Sequence, residues 1–292
     1  MKLGVIGTHN GWSSELLADS VAKKTGYRLL IDMKNVRLDM QSNTFKYGGI
    51  NLNDLDGLIV KKVGARYSPD LLDRLEILRF AHERGLPVYS RPQAILSVLN
   101  RLTCTTTLQL ANIPMPPTTI TESVEEAAAA VAEYNTAICK PLYSSKGRGM
   151  ILLSQEDSVR ESLEEYARTF SLMYIQQAVE LNENCDLGIV FLNGDYVTTY
   201  ARCKGDSWNT TTASGGHYKP FDPPLEVIDL AYEAQKPFGL TFTCVDVALT
   251  DNGPMVFEVS AFGGFKGILK ARGINAAELY TDAVLKELRQ ND

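Results

Sequence analysis

Histidine is scarce in this 292-residue chain, and its three examples, His9, His82 and His217, are far apart. That scatter argues against a histidine-built zinc centre. Cysteine offers no substitute. Cys104, Cys139, Cys185, Cys203 and Cys244 are odd in number and contain no Cys-x-x-Cys pair, so they read as reduced core or strand residues rather than zinc ligands or a disulfide. Long apolar runs are missing too: none approaches the ~20 residues needed to span a bilayer. The chain enters a strand directly, Met1-Lys-Leu-Gly-Val-Ile-Gly7, without a secretory leader pattern, which points to the cytoplasm. Nor is there an excess of positive charge. A net charge of -6 and a pI of about 5.3 argue against a nucleic-acid or anionic-membrane partner. The Gly7-Thr-His-Asn-Gly11 loop lacks the Gly-x-Gly-x-x-Gly spacing of a dinucleotide fold, no Gly-Lys-Ser/Thr opens a helix, and no Ser/His/Asp arrangement has a recognisable context.

What is present is an ordinary globular balance, 45% hydrophobic and 22% charged residues, over enough chain for about two domains. The first 90 residues alternate strand and helix: a strand at 2–7, a helix capped by Ser13 or Ser14, a strand near 28–31, a hairpin excursion at 35–52, a strand at 56–63, a helix from Pro69 and a strand at 86–90. Such alternation predicts an α/β, doubly wound parallel sheet. A helical region at 92–111 ends in the linker Asn112-Ile-Pro-Met-Pro-Pro117. Strands at 118–121, 137–141, 150–153 and 173–179 then enclose helices at 124–134 and 157–170. From Cys185 the pattern turns antiparallel, with strands at 185–192 and 196–203 around Asn193-Gly194, a polar loop at 204–220, and helices at 225–238 and 275–290. Three domains follow: 1–90, 91–178 and 179–292.

The most informative stretch is Thr243 to Ser260, two apolar runs around Asp251-Asn-Gly-Pro254, a strong hairpin signal. It sets Asp246 and Glu258 on neighbouring strands among valines. Two converging carboxylates in apolar surroundings want a cation, and hard oxygen ligands select Mg²⁺ before Ca²⁺. Elsewhere, Lys140 ends a strand where only an anion would suit it. The loop Ser144-Ser-Lys-Gly-Arg-Gly149 can bring backbone N–H groups, Lys146 and Arg148 to a phosphate. Gln176-Gln-Ala-Val179 can present polar groups to an adenine edge and Asp186 a carboxylate to ribose. Arg202 precedes a small, polar loop at 206–216 suited to substrate or phosphate. Taken singly, each also fits a structural role.

In order along the chain, Asn100-Arg101-Leu102, Ala137-Ile-Cys-Lys-Pro141 with its glycine loop, Tyr174-Ile-Gln-Gln-Ala-Val179, Cys185-Asp-Leu187, Val245-Asp-Val247 and Phe257-Glu-Val-Ser-Ala261 resemble the ATP-grasp superfamily, and within it the RimK-like α-L-glutamate ligases. The ending, Gly264-Phe-Lys-Gly-Ile268 through Gly273-Ile-Asn-Ala-Ala277, is similar to that family's too. The likeness covers about residues 90–292. It implies an ATP-grasp fold: an N-terminal α/β domain and two α+β lobes clasping ATP with Mg²⁺ or Mn²⁺. By resemblance, Arg101 and Lys140 contact phosphates beneath Ser145, Lys146, Gly147 and Gly149. Gln176, Gln177, Ala178 and Val179 hold adenine, and Asp186 the ribose. Asn209 and Thr210 join the nucleotide site, and Asp246, Glu258 and Ser260 bind metal. Lys140 and Arg202 are catalytic, Arg202 steadying the oxyanion of the tetrahedral intermediate. The implied chemistry is phosphorylation of a small-molecule carboxylate, then attack by an amine to form an amide. A dimer or tetramer is implied as well.

The chain departs from the family at four points. Ser260 stands where the family has asparagine, Gln177 replaces the hinge glutamate, Gly188 replaces the arginine of Asp-x-Arg, and Trp208-Asn-Thr210 replaces Arg-Ser-Asn. They leave the amino-acid substrate unassigned. Two other readings stay open: an ATP-grasp kinase acting on a hydroxyl, and a nucleotide-binding regulator whose ligase chemistry has decayed.

Overall fold

The computed structural model describes residues 1–155 and 158–291. Strand β1 (Leu3–Ile6), helix α1 (Trp12–Thr25), strands β2 (Leu30–Ile31), β3 (Val36–Asp39), β4 (Thr44–Tyr47), β5 (Ile50–Asn51) and β6 (Gly57–Val60), helix α2 (Asp70–Glu83) and strand β7 (Val88–Tyr89) come first. They form a parallel sheet in the order β2-β1-β6-β7 and a three-stranded meander β3-β4-β5. The parallel sheet is as anticipated. The cap of α1 is not: Gly11 occupies the N-cap without a side-chain bond, and Ser14 Oγ instead accepts from the Thr8 N–H at 3.2 Å.

The helical region anticipated at 92–111 is made of two helices, α3 (Pro92–Leu99) and α4 (Arg101–Leu110). Asn100 breaks it. Its extended backbone ends α3, and its side-chain oxygen accepts from Leu102 N–H at 2.8 Å, the N-cap geometry that starts α4. Strand β8 (Thr118–Thr121), helix α5 (Val124–Tyr134), strands β9 (Thr136–Lys140) and β10 (Ile151–Ser154), helix α6 (Val159–Ala167) and strand β11 (Met173–Gln177) build an antiparallel sheet β10-β9-β11-β8. The expected start of α6 at Asp157 lies outside the described residues. Period-two alternation divides this sheet: Ala137 and Cys139 enter the core beneath, while Ile138 and Lys140 face the other way.

Strands β12 (Cys185–Leu192), β13 (Asp195–Cys203), β14 (His217–Pro220), β15 (Phe242–Thr250) and β16 (Gly253–Ser260), with helices α7 (Leu225–Gln235), α8 (Phe265–Arg272) and α9 (Ala276–Asn291), complete the chain. Their sheet runs β14-β13-β12-β15-β16, all antiparallel. Two elements escaped the sequence reading: β14, a short polar edge strand, and α8. A third difference concerns cysteine. Cys185 and Cys203 are disulfide-bonded, whereas Cys104, Cys139 and Cys244 are buried thiols. Eighteen residues separate the pair in sequence, yet the β12–β13 hairpin sets them directly opposite, so spacing alone conceals the link.

The cores do not follow the sheets. Two apolar clusters each mix residues from the first 113 with residues from 185 onward. The third, from Ala127 to Ile175, belongs to the β8–β11 sheet and its helices alone. Lys61 also ties the N-terminal part to the segment after β16. It is 1% exposed, its Nζ donates to the Phe262 carbonyl at 2.7 Å, and it lies 3.8 Å from the Phe265 ring centroid. Burial lowers its pKa to about 7.

Candidate active site

The β8–β11 and β12–β16 sheets face each other across a cleft. On the second sheet, Asp186 and Arg202 are cross-strand partners, and Asp246 is opposite both Gly188 and Glu258. Alternation places all of these on one face. The missing side chain at Gly188 leaves room there: a Cβ would lie 2.2 Å from the Tyr200 ring. A bulge after the Asp246–Glu258 pair leaves Phe257 without a partner residue, so Phe257 and Glu258, consecutive in sequence, both reach the cleft.

Charge is concentrated in this face. Arg202 binds Asp186 through Nε at 3.2 Å and through a second, closer contact, and reaches Asp246 Oδ2 at 3.0 Å. Asp186 is 1% exposed. Burial raises the Asp246 carboxyl to about pKa 6, against the pull of Arg202. Arg101, placed by the Asn100 cap, donates to Glu258 Oε2 at 3.1 Å and to the Pro141 carbonyl at 3.2 Å. From the opposing sheet, buried Lys140 donates to Gln176 Oε1 at 2.5 Å. The Gln176 amide in turn donates to Thr118 Oγ1 at 3.0 Å and to the Tyr174 hydroxyl at 3.2 Å. Burial, then nearby Arg101, lowers the Lys140 pKa to about 7.

A cavity of about 330 Å³ between the sheets is lined by Arg101, Lys140, Ser145, Lys146 and Gly147, by the 176–179 segment, and by Asp186, Arg202, Asn209, Thr210, Asp246 and Glu258. Two anticipated residues lie apart. Gly149 turns the loop at φ +71°, beneath Pro141, and Ser260 lines a neighbouring cavity. Gly147, also at φ +71°, lets the loop approach Thr211, to which a Cβ would come within 3.2 Å. Sequence reasoning missed the apolar walls, Ile138, Met150, Leu152, Leu181, Trp208 and Phe257. Period two could have found Ile138, which shares a face with Lys140. Lys204 and Thr211 were missed as well.

Among the described residues no three His, Cys, Asp or Glu side chains converge as a ready metal cage. Two facing carboxylates remain, and burial leaves Asp246 short of positive compensation. That donor chemistry fits a hard cation shared with a phosphate, with Arg101 and Arg202 holding the carboxylates here.

A sequence model described as the RimK-like ATP-grasp domain matches residues 98–284. The chain belongs to this family. Its members are ADP-forming ligases that join carboxylates to amines, and this chain is such a ligase. It is 28% identical to the tetrahydromethanopterin:α-L-glutamate ligase of Methanosarcina acetivorans, over 95% of this chain and 96% of that protein. Its fold is similar to the RimK-domain ATP-grasp protein of Sphaerobacter thermophilus, with a TM-score of 0.76 at 19% identity, covering 97% and 99% of the two chains. It is also similar to the ATP-grasp ligase PsnB complexed with a phosphomimetic precursor variant, Mg and ADP, with a TM-score of 0.75 at 16% identity, covering 98% of each chain. No described helix of this RimK-like chain is long and apolar enough to cross a membrane.

Proposed function

We propose that the cleft binds ATP with Mg²⁺, phosphorylates a small-molecule or peptide carboxylate, and joins the acyl group to an amine. The cavity between the two antiparallel sheets carries this reading, because it combines apolar walls, buried Lys140 and the Asp246–Glu258 pair in one space. Adenine lies between Ile138 and Leu152 on one wall and Phe257 and Leu181 on the other. The N–H groups of Gln177 and Ala178 are already bonded to the Pro117 and Thr136 carbonyls, so Val179 N–H is the hinge donor. Gln176 acts beneath the hinge by holding Lys140. Asp186 sits at the ribose end, locked by Arg202.

In the reaction, an oxygen of the substrate carboxylate attacks the γ-phosphorus, the bond to ADP breaks and ADP leaves. The amine then attacks the carbonyl carbon, the bond to phosphate breaks, and phosphate and a proton leave. Lys140 and Arg101 hold negative charge as the phosphoryl group moves, and Arg202 faces the oxyanion of the second step. Asp246 and Glu258, with Ser260 at the rim, would hold Mg²⁺, which neutralises the phosphates. The domain division at 90 and 178, a cytoplasmic location and a dimeric or tetrameric assembly accompany this reading, supported by the family likeness.

Equal release of ADP and phosphate on incubation with Mg-ATP, mixed amino acids and candidate carboxylates tests it. ADP release with a stable phosphorylated product would make the protein a kinase instead. Nucleotide binding with no turnover would make it a regulator.

A further inference from the structure

Beside the nucleotide cavity lies a second of about 220 Å³, sharing Arg101, Ser144, Ser145, Lys146, Phe257 and Glu258 with it. The parallel N-terminal sheet contributes its own wall here through Lys62 and Tyr67, just beyond β6. Lys62 is half-buried. Among the described residues it has no carboxylate partner, and its pKa is lowered first by burial and then by the charges of Lys146 and Arg148. Arg148 is exposed and folds back on its own loop through bonds to the Ser145 carbonyl and hydroxyl. Three cations, Lys62, Arg101 and Lys146, therefore line one space, in a chain of net charge -6. Glu258 is the cavity's single carboxylate among the described residues, and Arg101 already holds it.

Desolvating like charges without an anion between them is unfavourable, so the arrangement calls for a negatively charged occupant. The reacting carboxylate alone does not meet that need, because it must reach the γ-phosphate at the end shared with the nucleotide cavity. We infer that Lys62 is a specificity-determining residue that binds a second anionic group of the carboxylate substrate, so that the substrate is a dianion or polyanion. Assigning this cavity to the carboxylate substrate rests on the ligase reading above. The floor, Val98, Leu99 and Cys104, accepts a short aliphatic spacer between the two charges.

The test is titration of the Mg-ADP-loaded protein with glutarate and with pentanoate, acids of equal chain length that differ by one carboxylate. Glutarate is expected to bind at least tenfold more tightly. Lys62→Met should erase that preference and Lys62→Arg should restore most of it, with Mg-ADP affinity in both variants within twofold of the parent chain. No preference in the parent chain, or one that survives in Lys62→Met, overturns the inference. A tenfold loss of Mg-ATP affinity in Lys62→Met also overturns it, because Lys62 would then serve the triphosphate. The ligase reading has its own readout, trapping of the acyl phosphate by hydroxylamine as a hydroxamate with release of phosphate. If glutarate is preferred and no carboxylate gives a hydroxamate, the ligase reading fails and the anion site stands.

Discussion

Replacing Lys140 by methionine should stabilise the nucleotide-free protein and weaken nucleotide binding, two effects of opposite sign from one buried charge. Lys140 is 7% exposed, and its pKa falls from 10.5 to about 7. At ~1.4 kcal/mol per pH unit, keeping it charged at neutral pH costs about 5 kcal/mol. Methionine removes that cost but leaves Gln176 Oε1 without its donor, a loss of about 2 kcal/mol. The net gain of about 3 kcal/mol should raise Tm by roughly 5 °C for a chain of this size. The sign with pH follows from linkage. Between pH 7 and 10.5 the unfolded chain keeps the proton that the folded chain has lost, so the parent becomes more stable as pH rises through that window. The advantage of Lys140→Met should therefore be largest at or below pH 7 and should vanish towards pH 10. Nucleotide should reverse the order. Loss of one charge-assisted phosphate contact is worth about 2 kcal/mol, roughly thirtyfold in Kd, so the Tm rise produced by Mg-ATP should shrink in the variant. Scanning calorimetry across pH, with and without Mg-ATP, reads both effects. A variant less stable than the parent at pH 7, or one with an undiminished Mg-ATP response, would refute the reasoning.

Three further outcomes are expected. Glu258→Gln should abolish Mg²⁺-dependent ADP formation while far-UV circular dichroism stays unchanged, since its side chain is 41% exposed and touches only Arg101 among the charged groups of the described residues; retained turnover would remove Glu258 from the metal pair. Arg202→Met should leave Asp186 and Asp246 facing each other uncompensated, costing about 4 kcal/mol at pH 8, with partial recovery as pH falls, because losing the Arg202 charge raises the already elevated Asp246 carboxyl further and it takes up a proton; denaturant titration at pH 5 and 8 measures it. Gly188→Ala should cost about 2 kcal/mol or more in the same measurement, because the new Cβ would meet the buried Tyr200 ring at 2.2 Å.

The elements that sequence exposed were those with local reasons. The Asp251-Asn-Gly turn announced β15 and β16, and the alternation around it placed Asp246 and Glu258 in register. Strand β8 and helix α5 emerge with the bounds read from the sequence, 118–121 and 124–134. What stayed hidden depends on partners distant in sequence. The strand β14 exists because β13 offers it an edge, and its His-Tyr-Lys-Pro sequence reads as loop. The Cys185–Cys203 link needs the hairpin register before it can be seen. In the site, the charged residues stood out and the apolar walls did not, because Leu152 or Met150 looks like any strand residue until the opposing sheet is in place. Lys62 was hidden likewise, as a charged residue following a buried strand and aimed at a loop more than eighty residues away.

The two mixed cores and Lys61 have a mechanical consequence. The N-terminal sheet and the β12–β16 sheet share apolar interior on two sides, and a buried lysine is bonded across them, so prising them apart would expose both cores together with an unpaired ammonium. The β8–β11 lobe has a core of its own and is attached through the proline-rich segment 114–117 and the segment after β11. Any opening of the cleft that leaves the cores intact is therefore a swing of this one lobe against a fixed jaw. The fixed jaw carries Lys62, Asp246 and Glu258, and the moving one carries Lys140 and the glycine loop. ATP would thus meet Lys140 and the glycine loop on the swinging part, while Lys62, Asp246 and Glu258 keep their mutual spacing throughout the cycle.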